Sequence, residues 1–256
     1  MEVIIKDNYE ELSKLAARVI ARIVRNNPCA VLGLATGGTP VGCYRELMRM
    51  HTEEGLDFSQ IVTFNLDEYV ALPEDHGQSY HRFMWDNLFS RINVVSANVH
   101  IPDGNADDLH KACDEYEMEI DEHGGMDLQL LGIGTNGHIA FNEPGSSLGS
   151  RTRIKTLTER TRQDNSRFFD SIDEVPKYCM TMGIGTIMEA GKLLLLANGE
   201  NKAEAIARAV EGPITASVPA SAIQLHPDVT VIMDRAASAG LTREYHSEPH
   251  HLEDEE

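Results

Sequence analysis

"DLQLLGIGTNGHIAFNEPG" (residues 127–145) joins a short apolar run to a glycine-rich loop. The run is typical of a buried strand, because it is brief, apolar and followed by turn residues. The loop after it holds two titratable side chains, His138 and Glu143, among four glycines. In open α/β sheets, ligands bind where the strands end. This stretch therefore indicates both a fold class and a place for a functional site.

The same order of strand, loop and helix recurs along the chain. Further short apolar runs predict strands at 3–5, 30–35, 61–65, 192–199 and 228–234. Apolar residues at helical spacing fill most intervals between them, which predicts a mostly parallel sheet covered by helices. No linker divides residues 1–240, so we expect one α/β catalytic domain there. The polar, acidic stretch 241–256 lacks periodicity, and we expect a disordered tail.

Composition excludes several classes of partner and site. Lys and Arg total 22 against 41 Asp and Glu, and the net charge of -19 argues against nucleic acid and anionic membranes. The four cysteines are scattered without a Cys-x-x-Cys pair, so we expect reduced thiols rather than disulfides or zinc. The first residues lack a basic and apolar leader, and no apolar run could span a membrane, so we expect a cytoplasmic protein.

The loop "LATGGTPVG" (34–42) follows a predicted strand and opens a predicted helix. Gly37 and Gly38 would let the backbone approach a ligand, and the N–H groups of the helix start would favour an anion. Thr39 suits the N-cap and Pro40 the first helical position. A tight turn alone would also explain the glycines, so both interpretations remain open.

Two other loops carry groups suited to proton transfer. In "FNLDEYV" (64–70), Asp67 and Glu68 come just after a strand, where a carboxylate could act as a general base; an exposed acidic turn is equally compatible. His138 could be a core histidine, a metal ligand or an acid/base. With Glu143 alone it is a poor set for a metal, and an imidazole beside a carboxylate favours proton shuttling.

Basic residues are scarce, so their positions are informative. Arg151, Arg153 and Lys155 follow the third loop, and further arginines lie in the helical pattern 158–170. Lys202 falls in the first turn of a predicted helix, where its charge opposes the helix dipole unless an anion binds there. For most of the arginines, a solvated surface position is an open alternative.

Five motifs in register resemble one family. They are "LGLATGGTP", "FNLDEY", "GHIAFNEPGSSLGSRTRIKTLT", "NSRFF" and "VPKY". Together they are similar to the glucosamine-6-phosphate deaminase (isomerase) family, in order from the first strand to about residue 234. The resemblance implies a modified Rossmann-like three-layer α/β sandwich, similar to sugar-phosphate isomerases and CoA-transferases. It also implies conversion of glucosamine 6-phosphate and water to fructose 6-phosphate and ammonia, with neither metal nor organic cofactor.

The family pattern also implies a role for each matching residue. Asp67 would move the C2 proton toward C1, and His138 would open the sugar ring, with Glu143 and Asn136 tuning it. Better-known members carry aspartate at the position of Asn136, and others carry asparagine. The residues matching the substrate-phosphate site are Thr36, Gly37, Gly38, Thr39, Arg167 and Lys202.

A second phosphate site is implied less directly. Ser146, Arg153 and Lys155 match positions that bind the activator N-acetylglucosamine 6-phosphate in allosteric members, although the acidic tail here is unlike theirs. A sugar-phosphate sensor and a 6-phosphogluconolactonase are the alternative functions. The expected partner is a small sugar phosphate, with neither nucleic acid nor membrane, and assembly into a homo-oligomer is an open expectation.

Overall fold

The computed structural model describes residues 1–166, 169 and 171–248. Its strands in chain order are β1 (Glu2–Lys6), β2 (Val31–Leu34), β3 (Val62–Asn65), β4 (Asp67–Tyr69), β5 (Val99–His100), β6 (Leu128–Leu131), β7 (Arg153–Thr156), β8 (Tyr178–Thr181), β9 (Leu193–Ala197) and β10 (Val229–Asp234). Its helices are α1 (Tyr9–Asn26), α2 (Val41–Glu54), α3 (Tyr80–Asn87), α4 (Leu109–Glu122), α5 (Glu159–Ser166), α6 (Ile184–Met188) and α7 (Ala203–Val210).

The main sheet has the strand order β1-β10-β9-β6-β2-β3-β5, and its strand pairs are parallel. The predicted Rossmann-like α/β fold with a mostly parallel sheet is therefore confirmed. Because parallel strands end at one edge, the loops after β9, β6, β2 and β3 meet there side by side. These loops carry the glycine, acidic, histidine and lysine residues that the sequence predicts to form the site.

Burial explains why these segments take their observed form. All five residues of β9 and all six of β10 are buried, which matches an apolar run covered by helices on both faces. Helix α1 places Leu12, Leu15 and Ile20 against the sheet, and its N-cap residue Asn8 accepts a hydrogen bond from the Glu11 amide. Within the described residues no helix is long and apolar enough to cross a membrane.

A second, three-stranded antiparallel sheet was not predicted from the sequence. Its order is β4-β8-β7, with Asp67 opposite Thr181 and Thr181 also opposite Arg153. Leu66 links the two sheets, since its amide donates to the Leu34 carbonyl and its own carbonyl accepts from the Met182 amide. These strands have only three or four residues of mixed polarity, so neither length nor alternation indicates them.

The start of α2 differs from the prediction. The helix begins at Val41, Pro40 occupies the N-cap position, and that position has no side-chain cap. The Thr39 hydroxyl instead donates to Asn198 Oδ1 at 2.8 Å, in the loop after β9. A contact between two loops thus takes the hydroxyl that a helix cap would otherwise use.

The beginning of the predicted tail is packed against the domain. The Ile5 amide donates to the His246 carbonyl at 3.0 Å, which extends the edge strand β1. Glu211 accepts hydrogen bonds from Thr242 and from the Tyr245 hydroxyl. Residues 241–248 therefore differ from the disordered tail that their composition predicts, because backbone pairing and one acidic partner fix them. Residues 249–256 lie outside the described part of the chain.

Candidate active site

The loop after β6 is shaped around the His138 ring. The Gly134 amide donates to the His138 carbonyl, and the Gly137 amide donates to the Gly134 carbonyl, each at 2.9 Å. A side chain at Gly134 would place its Cβ 2.2 Å from His138 Cε1, so only glycine fits beneath the ring. Gly137 has φ +85°, a left-handed conformation that favours glycine. Two of the four glycines are therefore explained by the placement of the imidazole.

His138, Glu143 and Asn136 lie together in this loop, as the family pattern implies. His138 Nδ1 is 3.7 Å from Glu143 Oε1, an ion-pair distance that is too long for a hydrogen bond. The Asn136 side chain bridges the two residues: its Nδ2 donates to Glu143 Oε2 at 2.7 Å, and its Oδ1 accepts from the His138 backbone amide at 3.1 Å. The amide thus orients the carboxylate directly and the imidazole through the backbone.

Glu143 is held ionised. Burial works to raise its pKa, but the neighbouring His138 ring, with donors from Thr161 and Asn136, outweighs burial and holds the pKa at about 2. The Thr161 hydroxyl donates to Oε1, the same oxygen that faces the imidazole. His138 keeps 26% of its side chain exposed, so the ring can reach a ligand while its carboxylate partner is buried.

Asp67 is a buried carboxyl whose pKa is raised, in contrast to that of Glu143. It lies at the first position of β4 and is 6% exposed. Burial, followed by the neighbouring charge of Glu68, raises the pKa of Asp67 to about 8. A buried carboxyl that holds its proton near neutral pH is well suited to exchange a proton with a substrate.

Glu68 serves the local structure. Its carboxylate accepts hydrogen bonds from the backbone amides of Tyr69 (2.7 Å), Tyr80 (3.0 Å) and His81 (2.8 Å). The last two amides belong to the first turn of α3, whose free N–H groups favour a negative charge. Of the two acidic residues in "FNLDEY", the first is thus left to the site and the second anchors a helix start.

Strand β8 connects Asp67 with the His138 loop. Thr181 lies opposite Asp67, and its Oγ1 accepts a hydrogen bond from the Phe141 amide at 3.2 Å. The Asn142 side chain donates to the Met182 carbonyl at 2.9 Å, just beyond the end of β8. A strand distant in sequence from both motifs therefore fixes the acid/base loop relative to Asp67.

The predicted phosphate loop lies at the same edge of the sheet. Thr36 is half-buried, whereas Gly37 and Gly38 are exposed, and Gly37 has φ +94°. The Tyr9 hydroxyl donates toward the carbonyls of this loop and accepts from the Gly42 amide at 2.8 Å. A Cβ added at Gly37 or Gly38 would meet nothing within 4 Å, so this part of the loop is open to a ligand.

The loop after β9 brings Lys202 to the same edge. Asn198 in this loop accepts the hydrogen bond from Thr39. Lys202 ends a short 3-10 segment and directly precedes α7, so its charge lies at a helix start, as predicted. Arg167, the other cation assigned to the substrate phosphate, lies outside the described residues.

Of the residues of the second implied phosphate site, Ser146 lies in the loop after β6, and Arg153 and Lys155 lie in β7. Ser146 is 5% exposed, and its hydroxyl has no hydrogen-bond partner among the described residues. Arg153 and Lys155 alternate along β7 and so project to one face. Burial lowers the pKa of Arg153, whose guanidinium donates to the Arg151 carbonyl at 3.2 Å. A site formed by these residues stays a prediction.

Sequence reasoning missed Thr161 and Thr181. Both are buried, and both use a hydroxyl to hold the loop between His138 and Glu143. The five motifs include Thr158 and Asn165 but not these two residues, and a threonine in a polar helix or a short strand carries no distinctive pattern. Only the contacts identify them.

Comparison with known proteins gives consistent relatives. A family model described as glucosamine-6-phosphate isomerases/6-phosphogluconolactonase matches residues 6–232. The glucosamine-6-phosphate deaminase of Thermoanaerobacter pseudethanolicus is 53% identical over 239 residues, covering 93% of this chain and 94% of that protein. Glucosamine-6-phosphate deaminase 1 of Bacillus subtilis is also 53% identical over 239 residues, covering 93% and 99%.

Solved structures separate relatives in function from relatives in fold. A monomeric glucosamine-6-phosphate deaminase matches with a TM-score of 0.92 at 52% identity, covering 94% of this chain and 100% of the other. The 6-phosphogluconolactonase of Trypanosoma brucei matches with a TM-score of 0.76 at 19% identity, covering 94% and 98%. At that identity the likeness is one of fold alone.

Proposed function

The chain belongs to the family of glucosamine-6-phosphate isomerases and 6-phosphogluconolactonases, and on that premise we propose a glucosamine-6-phosphate deaminase acting through Asp67 and His138. The enzyme converts glucosamine 6-phosphate and water to fructose 6-phosphate and ammonia. One observation carries the assignment of residues. Two buried carboxyls, Asp67 with a raised pKa and Glu143 with a lowered pKa, follow β3 and β6 on either side of β2.

Ring opening is assigned to His138. Opening a cyclic hemiacetal requires one proton to leave the anomeric hydroxyl and one to reach the ring oxygen, and a partly exposed imidazole can do both. Ionised Glu143 at 3.7 Å stabilises the imidazolium form, and Asn136 keeps that carboxylate in place. In this assignment Glu143 tunes the histidine and does not itself touch the sugar.

Proton transfer at carbon is assigned to Asp67. In the open-chain aldehyde, ionised Asp67 takes the C2 proton while O1 gains a proton from the ammonium group of the substrate, which gives an enolamine; Asp67 then returns its proton to C1. The resulting imine at C2 adds water and expels ammonia, so atoms and charges balance. With its pKa near 8, Asp67 must ionise when substrate binds. A cationic amine on the substrate would favour that ionisation by its charge.

The substrate phosphate is assigned to the edge loop Thr36–Thr39, to Lys202 and to Arg167. Exposed backbone N–H groups beside a helix start, joined by a lysine at a second helix start, are suited to a phosphate group. The hydrogen bond from Thr39 to Asn198 keeps the two loops in one place.

Lys202→Ala tests this phosphate site. We expect the Michaelis constant for glucosamine 6-phosphate to rise about tenfold or more, since a charge-assisted contact is worth about 1.5–3 kcal/mol. Steady-state kinetics would measure it, with Lys192→Ala as control, because Lys192 pairs with Asp228 at the opposite end of β9. Unchanged kinetics in Lys202→Ala would place the phosphate elsewhere.

One assay separates the deaminase from both alternative functions. Incubated with glucosamine 6-phosphate, the protein should release ammonia and fructose 6-phosphate in equal amounts. A sugar-phosphate sensor would bind the compound without turnover. A 6-phosphogluconolactonase would instead hydrolyse 6-phosphogluconolactone and release no ammonia. The relatives at 52–53% identity favour the deaminase, and the lactonase resemblance at 19% concerns the fold.

Assembly and location stay predictions. The proposed catalytic residues all belong to one chain, and the solved relative at 52% identity is described as monomeric. We therefore expect turnover per chain to be independent of protein concentration, whether or not a homo-oligomer forms. Activation by N-acetylglucosamine 6-phosphate through Ser146, Arg153 and Lys155, and a cytoplasmic location, are likewise retained as predictions.

A further inference from the structure

Helix α5 contacts the proposed catalytic machinery through side chains on one face. Thr161 and Asn165 are four residues apart and so project from the same side of the helix. The Thr161 hydroxyl donates to Glu143 Oε1, and Asn165 Nδ2 donates to the Tyr69 hydroxyl at 2.8 Å. Tyr69 lies in β4, two residues after Asp67. The helix is thus attached both to the partner of His138 and to the strand of Asp67.

The hydroxyl proton of Thr161 has a defined direction. A threonine hydroxyl has one proton to donate and lone pairs that accept. The Thr158 hydroxyl donates to Thr161 Oγ1 at 3.0 Å, and Thr158 Oγ1 in turn accepts from the Thr161 backbone amide at 3.2 Å. With its acceptor side occupied by Thr158, the Thr161 hydroxyl directs its proton at the carboxylate. Thr161 is 6% exposed, so water offers little competition.

The oxygen that Thr161 contacts is the one that matters for His138. Glu143 Oε2 is taken by Asn136, while Oε1 faces both Thr161 and the imidazole. The two donors on opposite oxygens fix the plane of the carboxylate. Without Thr161 the carboxylate could rotate about the remaining Asn136 contact, and Oε1 would no longer be held toward Nδ1.

We propose that Thr161 is a positioning residue for deamination, holding Glu143 so that His138 can transfer protons during ring opening. This proposal rests on the proposed function. It gives α5 a part in positioning the catalytic residues, in addition to leading directly to Arg167, which is assigned to the substrate phosphate. The residue touches neither the substrate nor the reacting atoms, and it acts through Glu143.

Thr161→Val and Thr161→Ser test the proposal. Valine keeps the shape of threonine but lacks the donor, whereas serine keeps the donor. We expect the valine variant to lose about tenfold to a hundredfold in kcat, the range expected for a hydrogen bond to a charged group, with KM changed less than about twofold. The serine variant should retain kcat within about threefold. Ser166→Ala is the matched control, because that hydroxyl lies in the same helix and donates to the Gln163 carbonyl.

A measurement independent of turnover separates this proposal from the proposed function. Carbon-13 NMR of the Glu143 carboxyl should show its titration midpoint rising by about one unit in Thr161→Val, and staying in place in Thr161→Ser and Ser166→Ala. An unchanged midpoint and kcat in the valine variant would overturn the proposal, as would equal losses in valine and serine or an equal shift in Ser166→Ala. Absence of deaminase activity in the unsubstituted protein would overturn the proposed function and leave the NMR result interpretable.

Discussion

Asp67 and Glu143 are equally buried, each 6% exposed, yet they have opposite acid strength. Burial and the charge of Glu68 raise the pKa of Asp67 to about 8. Burial also works to raise the pKa of Glu143, but His138, Thr161 and Asn136 outweigh it and bring that pKa to about 2. Burial alone therefore does not decide which carboxyl is ionised; the neighbours do.

Glu68 shows which kind of neighbour is needed. It is 4% exposed and accepts three backbone amides, yet burial still raises its pKa. Glu143 also receives neutral donors, from Asn136 and Thr161, but has in addition the imidazole at 3.7 Å. Hydrogen bonds lower the pKa of both carboxyls, and only Glu143, which also lies beside the His138 ring, ends below its ordinary value.

The largest effect is expected from Asp67→Asn. The amide has nearly the same shape but cannot accept a proton, so deamination should fall by at least about a thousandfold while substrate binding persists. Ammonia release measures deamination, and calorimetric titration with glucosamine 6-phosphate measures substrate binding. Near-normal exchange of solvent deuterium into the sugar by this variant would remove Asp67 from the role of base.

Glu143→Gln should have the next largest effect. Glutamine keeps the size of the side chain but removes the charge that stabilises the imidazolium, so kcat should fall by roughly a hundredfold. Steady-state kinetics across pH would measure it. If Glu68→Gln, a neighbouring carboxyl with no assigned proton transfer, lost as much activity without losing stability, the special role given to Glu143 would be wrong.

The free energy of unfolding should respond with opposite sign to Asp67→Asn and Glu143→Gln. Asp67 has a folded pKa above its unfolded value of 3.8, so it lowers the unfolding free energy progressively as pH rises from about 4 to about 8. Glu143 has a folded pKa below 4.5, so its contribution is present above pH 4.5 and is lost as pH falls toward about 2.

Urea unfolding at two pH values therefore sharpens the comparison. At pH 8 we expect Asp67→Asn to stabilise and Glu143→Gln to destabilise the fold, each by roughly 1–4 kcal/mol. The gain from Asp67→Asn should vanish near pH 3.5, and the loss from Glu143→Gln should shrink there. Two shifts of the same sign at pH 8 would contradict the opposite pKa values.

The smallest effect is expected from Asn136→Asp. The substitution removes the donor to Glu143 Oε2 and adds a negative charge beside it, so the pKa of Glu143 should rise by about one unit. Carboxyl NMR would follow the titration. Asn136→Ala, which removes the donor without adding charge, should shift it less. A fall, or no change, in Asn136→Asp would mean that residue 136 does not govern this carboxylate.

The prediction of the fold succeeded where the signal was local, and the roles of the site residues stay predictions. Apolar runs followed by helical spacing located the strands of the parallel sheet except the two-residue β5, and glycine, acidic and histidine motifs located the loops at its edge. The prediction failed for β4, β7 and β8, which have three or four residues each and whose pairing partners are distant in sequence. It also failed for the helix cap at Thr39, because a hydrogen bond to Asn198 replaced the expected one.

The sequence by itself determined the fold class, the family and the residue types at Asp67, Asn136, His138 and Glu143, because these follow from periodicity and from motifs of adjacent residues. Only the tertiary structure decided which of two equally buried carboxyls keeps its proton and which loses it. That outcome depends on donors such as Thr161, brought to Glu143 by a helix that begins 16 residues later in the chain. A pKa is set by distances in space, and spacing along a chain does not encode them.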